Sequence, residues 1–224
     1  MSMLRDGADI TIGAYRWVPE FAQGFVRDLR PRWACEEAGI PYREKLADVT
    51  AKPDWLKAAQ PWSQVPVLYD GNVTLFESGA ALLHLAERSE HLLPRDPQGR
   101  ATAVSWLFSA FNTIEPSIFE HGNVTQFAKD EEWAKLRRPG LEQWIGKRLA
   151  PLEEKLSSRE WLGKAFSVAD IAMVTTLRPL RGTDMLAAKP AVAAYVQRGT
   201  TRPAFRQAMA DQLAAFARHP DNKP

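Results

Sequence analysis

A chain of 224 residues, 45% hydrophobic and 25% charged, with a formal net charge of +2, has the make-up of an ordinary folded protein of one or two domains. Its basic residues are spread out, which gives no argument for nucleic acid or an anionic membrane, and no run approaches the roughly 20 apolar residues of a bilayer span. The single Cys35 excludes an intramolecular disulfide and fits a reducing compartment, and the N-terminus MSMLRDGADI lacks the build of a secretory signal, so the expected location is cytoplasmic.

In chain order, Ile10 to Ala14 reads as a short strand. From about Val26 to Ala38 the pattern is helical, closing at Gly39 as a C-cap. Ile40-Pro41-Tyr42 leads into a weakly alternating strand, Glu44 to Val49. Residues 51–63, rich in Pro, Ala, Lys and Trp, read as a loop with a short helix. Val67-Leu68-Tyr69 and Val73-Thr74-Leu75-Phe76 then flank Asp70-Gly71, a hairpin signal whose central positions take positive φ. Glu77-Ser78-Gly79 opens a helix with Leu82, Leu85 and Ala86 at helical spacing. Pro66 at the entrance of the hairpin gives up a ladder hydrogen bond. A cis Val65-Pro66 bond would explain it and would leave the Val65 backbone available to hold something.

The order β-α-β-(α)-β-β-α is that of a thioredoxin-like αβ domain, expected over residues 8–90. The stretch 91–99 (HLLPRDPQG), with two prolines and a glycine, reads as a linker. Beyond it an all-helical domain is expected over 100–218. Its helical regions are 100–121 with Pro116 bending or breaking it, 131–157 interrupted near Pro139-Gly140 and Pro151, 166–178, 190–198 and 203–217. The tail 219–224 reads as frayed. Ser167 and Asp170 have the spacing of a capping box, with Phe166 and Ile171 placed as a hydrophobic staple.

Two windows carry a family resemblance. Gln64 to Ser78, QVPVLYDGNVTLFES, resembles the glutathione-binding half of the cytosolic glutathione transferases. Ser-Val-Ala-Asp-Ile-Ala at 167–172 resembles the buried capping segment of their helical domain. The similarity spans roughly Ile10 to Phe216. It implies a thioredoxin-like domain followed by an all-α domain, and attack of glutathione thiolate on a small hydrophobic electrophile, a detoxification chemistry. It implies glutathione as co-substrate, no metal, and a homodimer.

On that resemblance, Ser78 at a helix N-terminus would take the γ-glutamyl carboxylate. Glu77 would pair with the ammonium, and Val65 beside Pro66 would hold the cysteinyl part like an added strand. Gln64 would reach the peptide backbone of the ligand. The thiol must become a thiolate, the actual nucleophile. Here the chain departs from the family, because no Ser, Thr or Cys lies from Gly13 to Asp28 and the connection from Tyr15 to Phe25 is long. The candidates are Tyr15 at the strand end, Arg27 near the helix start, or a backbone N–H of the loop. For the electrophile the implied residues are Trp17, Phe108, Phe111 and Asn112, with Glu115 on the same stretch. The four histidines show no metal-ligand spacing, and no Cys-x-x-Cys is present. Two rivals remain: a non-catalytic binding or scaffold protein on the same fold, and a glutathione-dependent isomerase or reductase.

Overall fold

The structure is a computed structural model describing residues 2–219. The described residues form four strands, β1 (Ile10–Tyr15), β2 (Tyr42–Ala47), β3 (Val67–Asp70) and β4 (Val73–Phe76). They also form ten α-helices: α1 (Leu29–Ala38), α2 (Asp54–Ala59), α3 (Ser78–Ala86), α4 (Pro97–Phe108), α5 (Glu115–Gly122), α6 (Glu132–Leu156), α7 (Val168–Leu177), α8 (Asp184–Ala187), α9 (Pro190–Thr201) and α10 (Pro203–Ala217). By its contacts the chain divides into two units, 2–93 with 201–219, and 94–200.

The first unit is built on one sheet in the order β2-β1-β3-β4. β1 runs parallel to β2 and antiparallel to β3, and β3 and β4 form an antiparallel hairpin. This is the thioredoxin-like arrangement expected from the element order. Central β1 is buried on both faces, so Ile10, Ile12 and Ala14 alternate with Thr11 and Gly13. Gly13 is there for close approach: a Cβ would lie 3.2 Å from the Trp55 ring of α2 and 3.3 Å from Val67 Cβ. α1 ends at Gly39 with φ 65°, as its sequence position suggests.

Local details differ from the sequence reading. β2 starts at Tyr42 and stops at Ala47, because the Asp48 carboxylate takes the N–H groups of Thr50 and Ala51 and turns the chain out of the sheet. In the hairpin Asp70 pairs with Val73, so the turn is Gly71-Asn72, and of Asp70 and Gly71 only Gly71 has positive φ. The last helix, α10, packs with the first unit. Phe205 meets Trp33 edge-on at 4.9 Å, Tyr42 Oη donates to Asp211 at 2.9 Å, and Arg202 grips Glu37 at 2.5 and 2.7 Å.

The second unit is helical, with no strand among its described residues. α4 runs into a π-helical turn, Ser109–Ile114, then α5 and a second π turn, Asn123–Phe127. Pro116 is accommodated at the start of α5, directly after the first π turn, where the regular i→i−4 ladder is already interrupted. α6 runs unbroken through Pro139 and Pro151. Both prolines are exposed, as are Lys135 and Lys147, the residues whose carbonyls lose their usual helical donor, so the interruption falls on the solvent side of the helix. The buried stripe Leu141, Ile145, Leu149, Leu152 and Leu156 on the opposite face holds the helix together. Asp170 accepts from the Ser167 N–H at 2.8 Å, the Leu162 N–H at 3.0 Å and Tyr195 Oη at 2.9 Å. The start of α7 is thereby tied to two other segments. Among the described residues no helix is long and apolar enough to cross a membrane.

Candidate functional site

In the first unit the residues of the Gln64–Ser78 window gather around the start of β3 and the start of α3. The Val65-Pro66 peptide is cis. Val65 and Pro66 are buried and Gln64 is exposed. Tyr15, the last residue of β1, is half-buried and packs against the cluster of Ala47, Leu56, Val65 and Val67. Burial pushes its phenol above the ordinary value, the charge of Asp28 pushes the same way, and a hydrogen bond with the Val65 backbone pulls it back. A phenol that keeps its proton therefore sits at the Val65 backbone, two sequence-remote candidates brought together.

Ser78 is the first residue of α3 and only 5% exposed. Its Oγ accepts from Arg30 Nη1 at 2.9 Å, so a guanidinium of α1 lies at the N-terminus of α3. Glu77, exposed, has φ 69° and ψ 121°, a region an L residue adopts at a cost of about 1–3 kcal/mol. Such strain concentrates at ligand-holding positions. His84, one helical stretch on, is turned to Asp70 at 2.8 Å and ties α3 to the hairpin.

The loop after Tyr15 contains a short 3-10 turn, Glu20–Ala22, and packs Trp17 and Val18 on Phe216 of α10. Gln23 Nε2 donates to the Val18 carbonyl at 3.1 Å. Where the loop meets α1, Asp28 is buried. It accepts from Arg32 Nε at 2.7 Å and from Gln212 Nε2 at 2.8 Å. Arg32, also buried, donates to Glu44 at 2.6 Å, and Glu44 accepts from Arg218 at 2.7 Å. Burial pushes the Asp28 carboxyl up, against the pull of Arg32 and Gln212. Arg27 precedes this network and is half-buried. Sequence reasoning missed Asp28, Arg30, Arg32 and Gln212. The one available signal was charge at 28, 30 and 32 on a helix whose neighbours Leu29, Trp33 and Ala34 are core residues.

The remaining candidates are distributed as follows. Trp17, 7% exposed, is covered by Phe216 in the first unit. Phe108, 53% exposed, ends α4 in the second unit. Phe111, half-buried, and Asn112, exposed, lie in the π turn that follows, and Glu115 begins α5. Cys35 is fully buried inside α1, which pushes its thiol far up and takes it out of thiolate chemistry. Among the described residues no group of His, Cys, Asp and Glu is arranged to hold a metal.

Comparison with known proteins adds three kinds of match. Residues 22–87 match the model of the glutathione S-transferase N-terminal domain. The chain is 30% identical over 187 residues to the disulfide-bond oxidoreductase YfcG of Escherichia coli K12, covering 78% of this chain and 86% of that protein. It is 28% identical over 177 residues to glutathione S-transferase F14 of Arabidopsis thaliana, covering 71% and 68%. Among solved structures it resembles a glutathione transferase of Burkholderia graminis with two glutathione molecules bound per subunit. The TM-score is 0.79 at 26% identity, covering 90% of this chain and 88% of that one.

Proposed function

The chain belongs to the glutathione S-transferase family, and from that premise we propose that it binds glutathione and directs its thiolate at a small hydrophobic electrophile. The observation that carries the reading is the packing of Tyr15 against the cluster that contains Val65, beside cis-Pro66. The Val65 carbonyl would take the cysteinyl N–H of the tripeptide, like one bond of an added strand. That places the thiol near the one phenol that burial and Asp28 keep protonated, a neutral donor for an anionic sulfur.

Ser78 supports the other end. Its hydroxyl and the N-terminus of α3 suit a carboxylate, and Arg30 adds positive charge behind them. Glu77 would accept from the γ-glutamyl ammonium, and Gln64 would reach the ligand backbone from the exposed rim. Arg27 is the second candidate to stabilise the thiolate. Phe108, Phe111, Asn112 and Trp17 remain the proposed residues for the electrophile. The step itself is attack of glutathione sulfur on the electrophilic carbon, with departure of the leaving group. The chain supplies positioning and anion stabilisation. A cytoplasmic homodimer is the proposed setting.

The experiment is retention on immobilised glutathione followed by turnover of an activated chloronitrobenzene. Retention with turnover supports the reading, and absence of retention refutes it in favour of a scaffold on the same fold. A second reading has one specific support, the disulfide-bond oxidoreductase relative. Since Cys35 is buried and inert, such an activity would use glutathione alone. Its thiolate would attack the substrate disulfide and expel a thiolate, leaving a mixed disulfide for a second glutathione. Retention with disulfide reduction but no conjugation would select it.

A further inference from the structure

The segment between Tyr15 and α1 is held from the far end of the sequence. Gln212 of α10 is fully buried, and its Nε2 donates to two groups at once: the Val26 carbonyl at 3.1 Å and the Asp28 carboxylate at 2.8 Å. One turn on, Phe216 closes over Trp17 and Val18 in the same loop. The two contacts bracket the loop at both ends. Between them lies the chain that carries Arg27 and enters α1, while the glutathione-backbone residues Val65, Glu77 and Ser78 lie on other elements.

We propose that Gln212 is a positioning residue for thiol activation: by fixing Val26 and Asp28 it sets where the Arg27-bearing segment lies against Tyr15. The inference rests on the functional reading above for its consequence, though not for its geometry. Two features make the position matter. The Asp28 charge raises the Tyr15 phenol, so moving that carboxylate changes the field at the hydroxyl. The other charged and titratable groups around Asp28 are Arg32 on α1, Glu44 on β2 and Tyr15 on β1, with Arg218 at the end of α10 pairing Glu44. Gln212 is the uncharged member of the set. It holds Asp28 in place without adding to the balance of charge.

The test is Gln212→Met, which keeps length and apolar bulk and removes the donor. Two readouts are taken on the full chain. Hydrogen exchange of the Leu29 and Arg30 amides, which bond to the Val26 and Arg27 carbonyls, should accelerate by about tenfold or more without any ligand. The ultraviolet titration of bound glutathione thiolate should shift by about half a pH unit or more. The dissociation constant for glutathione should stay within about twofold, because the residues that bind its backbone are untouched. Unchanged exchange overturns the proposal. Faster exchange with an unmoved thiol titration, or with a parallel loss of glutathione affinity, overturns it too, since a merely structural contact would behave so. If Gln212→Met is not recovered folded, Phe216→Leu loosens the same loop from its other end and is read identically. Failure of the wild-type chain to bind glutathione sinks the functional reading and the thiol consequence. The exchange result still decides the clamp.

Discussion

Replacing Ser78 with alanine separates a ligand-binding hydroxyl from a plain helix start. In the free protein its Oγ takes a hydrogen bond from buried Arg30 at 2.9 Å. Bonds to charged groups contribute about 1.5–3 kcal/mol each. In a chain of this size each kcal/mol moves the melting temperature by about 2–4 °C, so a fall of about 3–12 °C is expected from the Arg30 contact alone. If the same hydroxyl also donates to the γ-glutamyl carboxylate, a second charge-assisted bond of like size is lost. That weakens glutathione binding by about tenfold to 150-fold. Calorimetric titration with glutathione gives the second number and a thermal melt the first. Arg30→Met is the control, because it removes the guanidinium and leaves the hydroxyl. It should melt at least as low as Ser78→Ala and retain more of the affinity. A Ser78→Ala protein that melts lower but binds glutathione as tightly as wild type would refute the reasoning and reduce Ser78 to a structural partner of Arg30.

Tyr15→Phe should lower conjugation about tenfold to a hundredfold while leaving retention on glutathione unchanged, and undiminished turnover would hand the role to Arg27. Asp48 is exposed and its carboxyl is held down to about 2 by the Thr50 and Ala51 amides and the Thr50 hydroxyl. Folded below its ordinary 3.8, it stabilises the loop fully above about pH 4, and that contribution fades as pH falls towards 2. An NMR titration midpoint near 4 would contradict it. Val73 and Phe76 on the outer strand β4 are 42% and 40% exposed, and among the described residues the edge has no partner strand. If two copies associate through it, Phe76→Asp should convert a sedimenting dimer to monomer, and an unaltered sedimentation coefficient would remove β4 from the interface.

The legible parts of this chain were those written in short range. The sheet could be read because Gly39 and Asp70-Gly71, with the runs 67–69 and 73–76 on either side, mark its turns within a few residues. The pairing of Ser167 with Asp170 was visible for the same reason. α6 was misread as interrupted: Pro139 and Pro151 lie on its exposed side, and the buried stripe from Leu141 to Leu156 carries the helix through. The grouping of α10 with the first unit was invisible, because its bonds to Asp28, Glu37, Tyr42 and Glu44 cross 165 to 184 positions. Arg32 and Asp28 read as surface charges on any periodicity plot. Their burial follows from each other and from Gln212, which no local window contains.

That network also bears on the question the sequence left open, which group would stabilise the thiolate. A helix start commonly offers its first N–H groups to an anion. Here the Leu29 N–H is taken by the Val26 carbonyl and the Arg30 N–H by the Arg27 carbonyl, each at 3.1 Å, and Pro31 has none. In the preceding loop the Arg16, Ala22, Gln23 and Phe25 N–H groups are likewise bonded to carbonyls. Asp28 does not cap α1; its carboxylate turns to Arg32 and Gln212 instead. With Arg32 balancing Asp28, the carboxylate brings little net charge to the site, yet it still favours the protonated phenol of Tyr15. With these backbone donors used, the side chains proposed for activation are Tyr15 as hydrogen-bond donor and Arg27 as charge, and a further loop N–H stays the third candidate. The loop held by α10 is the segment that carries the second of them.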